Sequence, residues 1–177
     1  MSLSGKRGGT RVKKLMVVLL AAAVLAGLGL LPFRAVDAAR LLPVKTVIVT
    51  RSGECYTVDI GAGVKAAGRS LREALDRLRE AVTGEAFLPT AEQVVITEPA
   101  AGAVEAVTEE PAFRPAAGIY LTPERDPDAV KIGEYLASHP SNVTILSVRA
   151  ELAAGRRPSI PRLLAEDGGY RVEDPAQ

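Results

Sequence analysis

One uncharged stretch constrains this chain more than anything else in it: residues 15–31, LMVVLLAAAVLAGLGLL, seventeen residues without a charge or a proline. As a helix the stretch reaches about 25 Å, the short end of what crosses the hydrocarbon core of a bilayer. Nothing amphipathic interrupts it, which argues against a buried helix of a soluble domain. Lys6, Arg7, Arg11, Lys13 and Lys14 precede it. A basic flank of this kind stays on the cytoplasmic side and sends the following chain outward. A cleaved signal normally has a shorter apolar core and a small-x-small cleavage site. Val36-Asp37-Ala38 supplies such a site, so cleavage after Ala38, releasing a secreted protein, is the alternative to the favoured uncleaved anchor.

The charge distribution agrees with this division. The chain of 177 residues has a formal net charge of +1. Residues 1–38 carry a net +5 and the remainder a net −4, the pattern of a membrane-entry segment followed by a mildly acidic domain. The near-neutral whole-chain total suggests no nucleic-acid partner. One Cys and one His exclude a disulfide within the chain and a zinc site built from Cys and His. The expected organisation is a basic flank at 1–14, an anchor or signal helix at 15–33 and a linker at 34–42. An exported domain follows at 43–155, then an extended C-terminal stub at 156–177.

In the exported part, residues 44–50 and 56–60 are rich in β-branched side chains and flank the polar turn Arg51-Ser52-Gly53-Glu54, which predicts a hairpin. Residues 61–68, with Gly61, Gly63 and Gly68, read as a loose connector. Ser70 and Glu73 form a capping-box pair, and Leu71, Leu75, Leu78 and Val82 follow on one helical face, with Gly84 placed to end the helix. Arg72, Asp76, Arg77, Arg79 and Glu80 occupy the solvated remainder. Strands are expected at 93–97 and 118–122, and helices at 100–110 and 147–154. A further helix should run to Ser138, opened by Asp126 as cap with Pro127 in the first turn. Pro158 and Pro161 bracket an extended linker, and Asp167-Gly168-Gly169 could turn a small hairpin. The alternation predicts an α/β (α+β) fold, one mixed-sheet domain with packed helices.

No catalytic, cofactor or metal site emerges. The glycines at 61, 63 and 68 miss the spacing of a dinucleotide fingerprint and stand away from the helix start. Asp126 and Asp128 are more simply explained as helix-capping residues than as metal ligands. His139 falls at a helix end without a partner, and Cys55 lies in the hairpin without a cationic neighbourhood. Asn142-Val143-Thr144 fits a glycosylation triplet, which matters only in a eukaryotic secretory route. Glu109-Glu110 and Glu166-Asp167 are paired carboxylates with no spaced acid–base partner.

LPVKTVIVTRSGECYTVDI at 42–60, GRSLREAL at 68–75 and FLPTAEQVVITE at 87–98 follow one another in an order that resembles the Ger(x)C family, the C subunits of bacterial spore germinant receptors. LPVKTVIVTRSGECYTVDI, at 42–60, resembles that family's opening hairpin. GRSLREAL, at 68–75, is similar to its G-x-S-[LI]-x-E-A-[LI] helix. FLPTAEQVVITE, at 87–98, is similar to F-[FL]-x-H-x-x-x-[VI]-[VI]-x-G-E, with Thr90 and Thr97 in place of the His and Gly. The likeness extends over about residues 41–165. Family members carry a lipidated Cys at the end of the signal, whereas residues 28–40 contain none and Cys55 lies well into the domain. They also continue through further domains, so this chain looks like the N-terminal domain with a stub of the next. The resemblance implies a receptor subunit with no catalytic residues or cofactor, lying outside the inner spore membrane beside polytopic A and B subunits. The alternative, from a different class, is a free-standing exported ligand-binding or sensor module.

Overall fold

A computed structural model describes residue 16 and residues 41–61, 63–82 and 85–174. The basic flank, the linker up to residue 40 and the apolar run apart from Met16 lie outside the described residues. Among the described residues no helix is long and apolar enough to cross a membrane. The chain divides into two units, Met1–Asp37 and Ala38–Gln177, and the second carries the architecture that follows.

This unit is a mixed α/β structure. Its main sheet combines β2 (Thr46–Ser52), β3 (Cys55–Asp59), β4 (Lys65–Gly68), β6 (Gln93–Thr97), β7 (Gly118–Thr122), β8 (Arg162–Glu166) and β9 (Gly169–Glu173) in the order β4-β3-β2-β6-β7-β8-β9. The inner strands β2, β6, β7 and β8 run parallel; β3 pairs antiparallel with β2 and β4 antiparallel with β3 on one side, and β9 pairs antiparallel with β8 on the other. A second, two-stranded parallel sheet pairs β1 (Leu41–Pro43) with β5 (Glu85–Phe87). Four α-helices pack on the main sheet: α1 (Leu71–Ala81), α2 (Val104–Glu109), α3 (Ala129–Ser138) and α4 (Ile145–Ala153).

Alternation along the parallel strands separates two cores. Val47, Val49, Val94, Ile96 and Ile119 point to the larger one, where α1, α2 and α4 contribute Leu75, Leu78, Val107, Ile145 and Val148. Ile48, Val95 and Tyr120 point to the opposite face, which α3 crosses with Ala129, Ile132 and Leu136. Both faces are therefore covered, which is why β6 is buried at all five positions, with Val94, Val95 and Ile96 as an apolar run between Gln93 and Thr97. A fully buried Leu or Ile contributes about 1.5–3 kcal/mol relative to exposure.

Several expectations hold and several are corrected. The hairpin forms, with Ser52 opposite Cys55 around Gly53 at φ 59°. β6 and β7 have the expected bounds. Ser70 caps α1 by accepting from the Glu73 N–H at 3.1 Å, but the Glu73 carboxylate accepts from Arg69 N–H at 2.8 Å rather than from Ser70. The helix closes at Val82, and Gly84 lies outside the described residues. Residues 65–68, expected within a connector, form β4 because β3 offers them a full antiparallel ladder from Tyr56 to Asp59.

The helix expected at 100–110 begins as a 3-10 segment, Glu98–Ala103, where Pro99 stands in the first turn, and becomes α-helical only at Val104. The cap of α3 is Asp128, not Asp126, so Pro127 precedes the helix. α4 starts two residues early, at Ile145, because Thr144 and Ser147 form a reciprocal capping box. The hairpin around Asp167 and Gly168 continues the main sheet, so 162–173 within the expected stub supply two of its strands.

Candidate functional site

Cavities along α3 offer the clearest candidate site. Thr46, Gln93 and Gly118 are the first residues of three neighbouring parallel strands and sit opposite one another in register. The strand alternation that aims Ile48, Val95 and Tyr120 at α3 gives Thr46 and Gln93 the same face. Both are buried, at 5% and 6% exposure, and the Thr46 hydroxyl donates to the Gln93 amide oxygen at 3.2 Å. Helix α3 passes over them at Gly133, where a Cβ would lie 2.5 Å from Thr46 Oγ1. Beside this contact opens a cavity of about 400 Å³, bordered by the Thr46–Gln93 pair, by Ala129, Gly133 and Ala137 of α3, and by Pro43 and Ile60. Lys45, Glu92 and Glu134 supply its charged groups.

Gly61, Ala129 and Val130 also border a second cavity of about 360 Å³, so the two adjoin. Here Lys65 meets Asp59 at 2.9 Å and Asp126 at 3.6 Å. The hydrogen bond and charge of Asp59, assisted by Asp126, hold the Lys65 ammonium above its usual pKa. Asp59 also accepts from the Gly61 N–H at 2.8 Å, which fixes the turn after β3 at a left-handed glycine. Asp128 is engaged by its own helix, accepting from Val130 N–H at 2.9 Å and Lys131 N–H at 3.2 Å.

The residues singled out from sequence do not converge. Cys55 is an exposed free thiol at the turn of the β2–β3 hairpin. His139 caps the C-terminus of α3, with Nδ1 3.0 Å from the Tyr135 carbonyl and its ring stacked on Tyr135 at 4.3 Å. Glu166 pairs with Arg171 at 2.7 Å, and Glu110 stands 4.0 Å from Arg79. Thr144 of the glycosylation triplet serves as the cap of α4. Asp126 and Asp128 border the second cavity, yet no group of three or more His, Cys, Asp and Glu side chains suited to a metal ion occurs among the described residues.

Sequence reasoning missed Thr46, Gln93 and Gly133. The available signals were a glutamine opening an otherwise apolar strand and a glycine inside a helix, both anomalous for their positions. Neither the family models, nor the curated proteins, nor the solved structures contain a match to this chain.

Proposed function

We propose that the chain is a non-catalytic, membrane-anchored subunit or accessory protein of a spore germinant-receptor type complex, acting through protein–protein contacts on the outer face of the membrane. What supports this reading is the order of the three family-like blocks, together with where they fall. Block 42–60 covers the β2–β3 hairpin, block 68–75 opens α1 at its Ser70 cap, and block 87–98 ends in β6 beside β2. The apolar run behind a basic flank supports the anchor and the outward orientation. By this reading the membrane is one partner and polytopic A and B type subunits are the others.

Deleting the gene from its spore-forming host tests the proposal. Spores should form normally and lose the response to at least one germinant, and an undiminished response to every germinant contradicts it. The roughly 400 Å³ cavity favours one second reading, a free-standing exported ligand-binding or sensor module. That module would act without polytopic partners, so its deletion would leave germination intact.

A further inference from the structure

The main sheet ends differently on its two sides. At one edge β4 is covered, because the Arg77 guanidinium of α1 donates to the Ala67 carbonyl at 2.8 Å. At the other edge β9 has β8 on its inner side and no strand on its outer side among the described residues. The β8–β9 turn is Asp167-Gly168, and Glu166 stands opposite Gly169 across it. In a hairpin with so short a turn the flanking pair exchanges its backbone hydrogen bonds, and such pairs alternate along the ladder. Gly169, Arg171 and Glu173 therefore direct their N–H and C=O groups to β8, whereas Tyr170 and Val172 aim theirs outward.

An open edge of this kind is a template for another strand, and its side chains decide which strand fits. Tyr170 and Val172 are half-buried on the face that α3 covers, and Arg171 and Glu173 are exposed on the opposite face. Arg171 meets Glu166 of its own hairpin at 2.7 Å, and Glu173 forms no ion pair among the described residues. Lysines along an edge repel a second copy of it. Arg171 and Glu173, of opposite sign and on the same face, instead complement one.

We propose that β9 pairs antiparallel with β9 of a second copy of this chain, about a twofold axis at Val172, joining two main sheets into one. In that register the two Val172 residues exchange backbone hydrogen bonds, and each Arg171 stands directly opposite a Glu173. These charge pairs occupy the non-hydrogen-bonded positions, where side chains approach most closely. An axis at Arg171 would set two guanidinium groups opposite one another at such a position, so charge fixes the register. The half-buried Val172 side chains meet across the axis and lose their remaining exposure to water. The contact is independent of which assembly the chain serves.

Sedimentation equilibrium of the full chain in a density-matched nonionic detergent reads the association. The wild-type chain should form a dimer that dissociates on dilution, as contacts of small area do. Val172→Pro removes an outward N–H and leaves the β8–β9 ladder intact, since an edge strand tolerates proline where the lost N–H faced solvent. It should abolish the dimer with the melting temperature nearly unchanged. Arg171→Glu and Glu173→Arg each set like charges opposite one another and should weaken the dimer about tenfold or more. The two changes combined restore opposite signs in the same register and should return the affinity close to that of the wild type.

A wild-type chain that stays monomeric at every accessible concentration overturns the proposal. So does a dimer that ignores Val172→Pro, because another surface then holds it. A double charge variant no tighter than the single ones overturns it as well, because the register is then wrong. Each of these failures leaves the germination phenotype untouched, so this contact and the proposed receptor role fail separately.

Discussion

Gly133 lies so close to Thr46 that a Cβ on it would stand 2.5 Å from the Thr46 hydroxyl oxygen, and this contact sets how closely α3 approaches the start of β2. An exposed helical Gly→Ala change normally stabilises by about 0.5–1 kcal/mol. Here Gly133→Ala should instead destabilise by about 1–2 kcal/mol, as overpacking does. Thr46→Ala removes the obstructing oxygen, because the Thr46 Cβ itself would stand at an ordinary 3.5 Å. The double variant should therefore lose less than the sum of the single ones, with a coupling of about 1 kcal/mol. Urea unfolding followed by tyrosine fluorescence can read this, since the chain has four Tyr and no Trp.

Leu75 and Leu78 are fully buried between α1 and the sheet. Replacing either with Ala should cost about 2–5 kcal/mol, the transfer loss plus the cavity left behind. Arg72, exposed on the same helix, should tolerate Ala within about 0.5 kcal/mol. The same unfolding measurement compares all three.

The cap of α3 separates two neighbouring aspartates. Asp128 accepts two helix N–H groups, so Asp128→Ala should cost about 1 kcal/mol. The Asp126 side chain is 91% exposed, and Asp126→Ala should change stability little. Equal effects would show that the helix starts elsewhere.

Stability should fall at alkaline pH. Burial raises the pKa of Tyr120, whose hydroxyl also accepts from the Ser141 N–H at 2.9 Å. Between its unfolded pKa of about 10 and the higher folded value, only the unfolded chain ionises, so rising pH favours unfolding. Lys65 acts in the same direction. Its folded pKa is raised by Asp59, so its contribution is complete below the unfolded lysine pKa and is lost as pH rises through the folded one. Thermal scans from pH 7 to 11 should be nearly level at first and then drop above about pH 10. Tyr120→Phe should lower stability near neutrality by about 1 kcal/mol, through the lost acceptor, and flatten part of that drop.

What could be read from the sequence was what local chemistry determines. Ser70 with Glu73 announces α1, and the β-branched runs at 93–97 and 118–122 announce β6 and β7, because capping and side-chain shape act within a few residues. What escaped depends on distant partners. Lys65, Ala66, Ala67 and Gly68 have little strand preference of their own and become β4 through pairing with β3. The three-residue strands β1 and β5 exist only through each other, 41 against 85 in the chain. The groove was hidden for the same reason: Thr46, Gln93 and Gly133 come from separate elements, and their closeness follows from sheet register and the path of α3.

The proposed role requires this domain to work as part of a membrane assembly. Solubilising the membranes of the native host in mild detergent, capturing the tagged full chain and identifying what elutes with it tests that claim most directly. The proposed role predicts co-elution, in near-stoichiometric amounts, with multi-spanning partner subunits that stay bound through size exclusion. A chain that elutes alone, with those subunits in separate fractions, would contradict it.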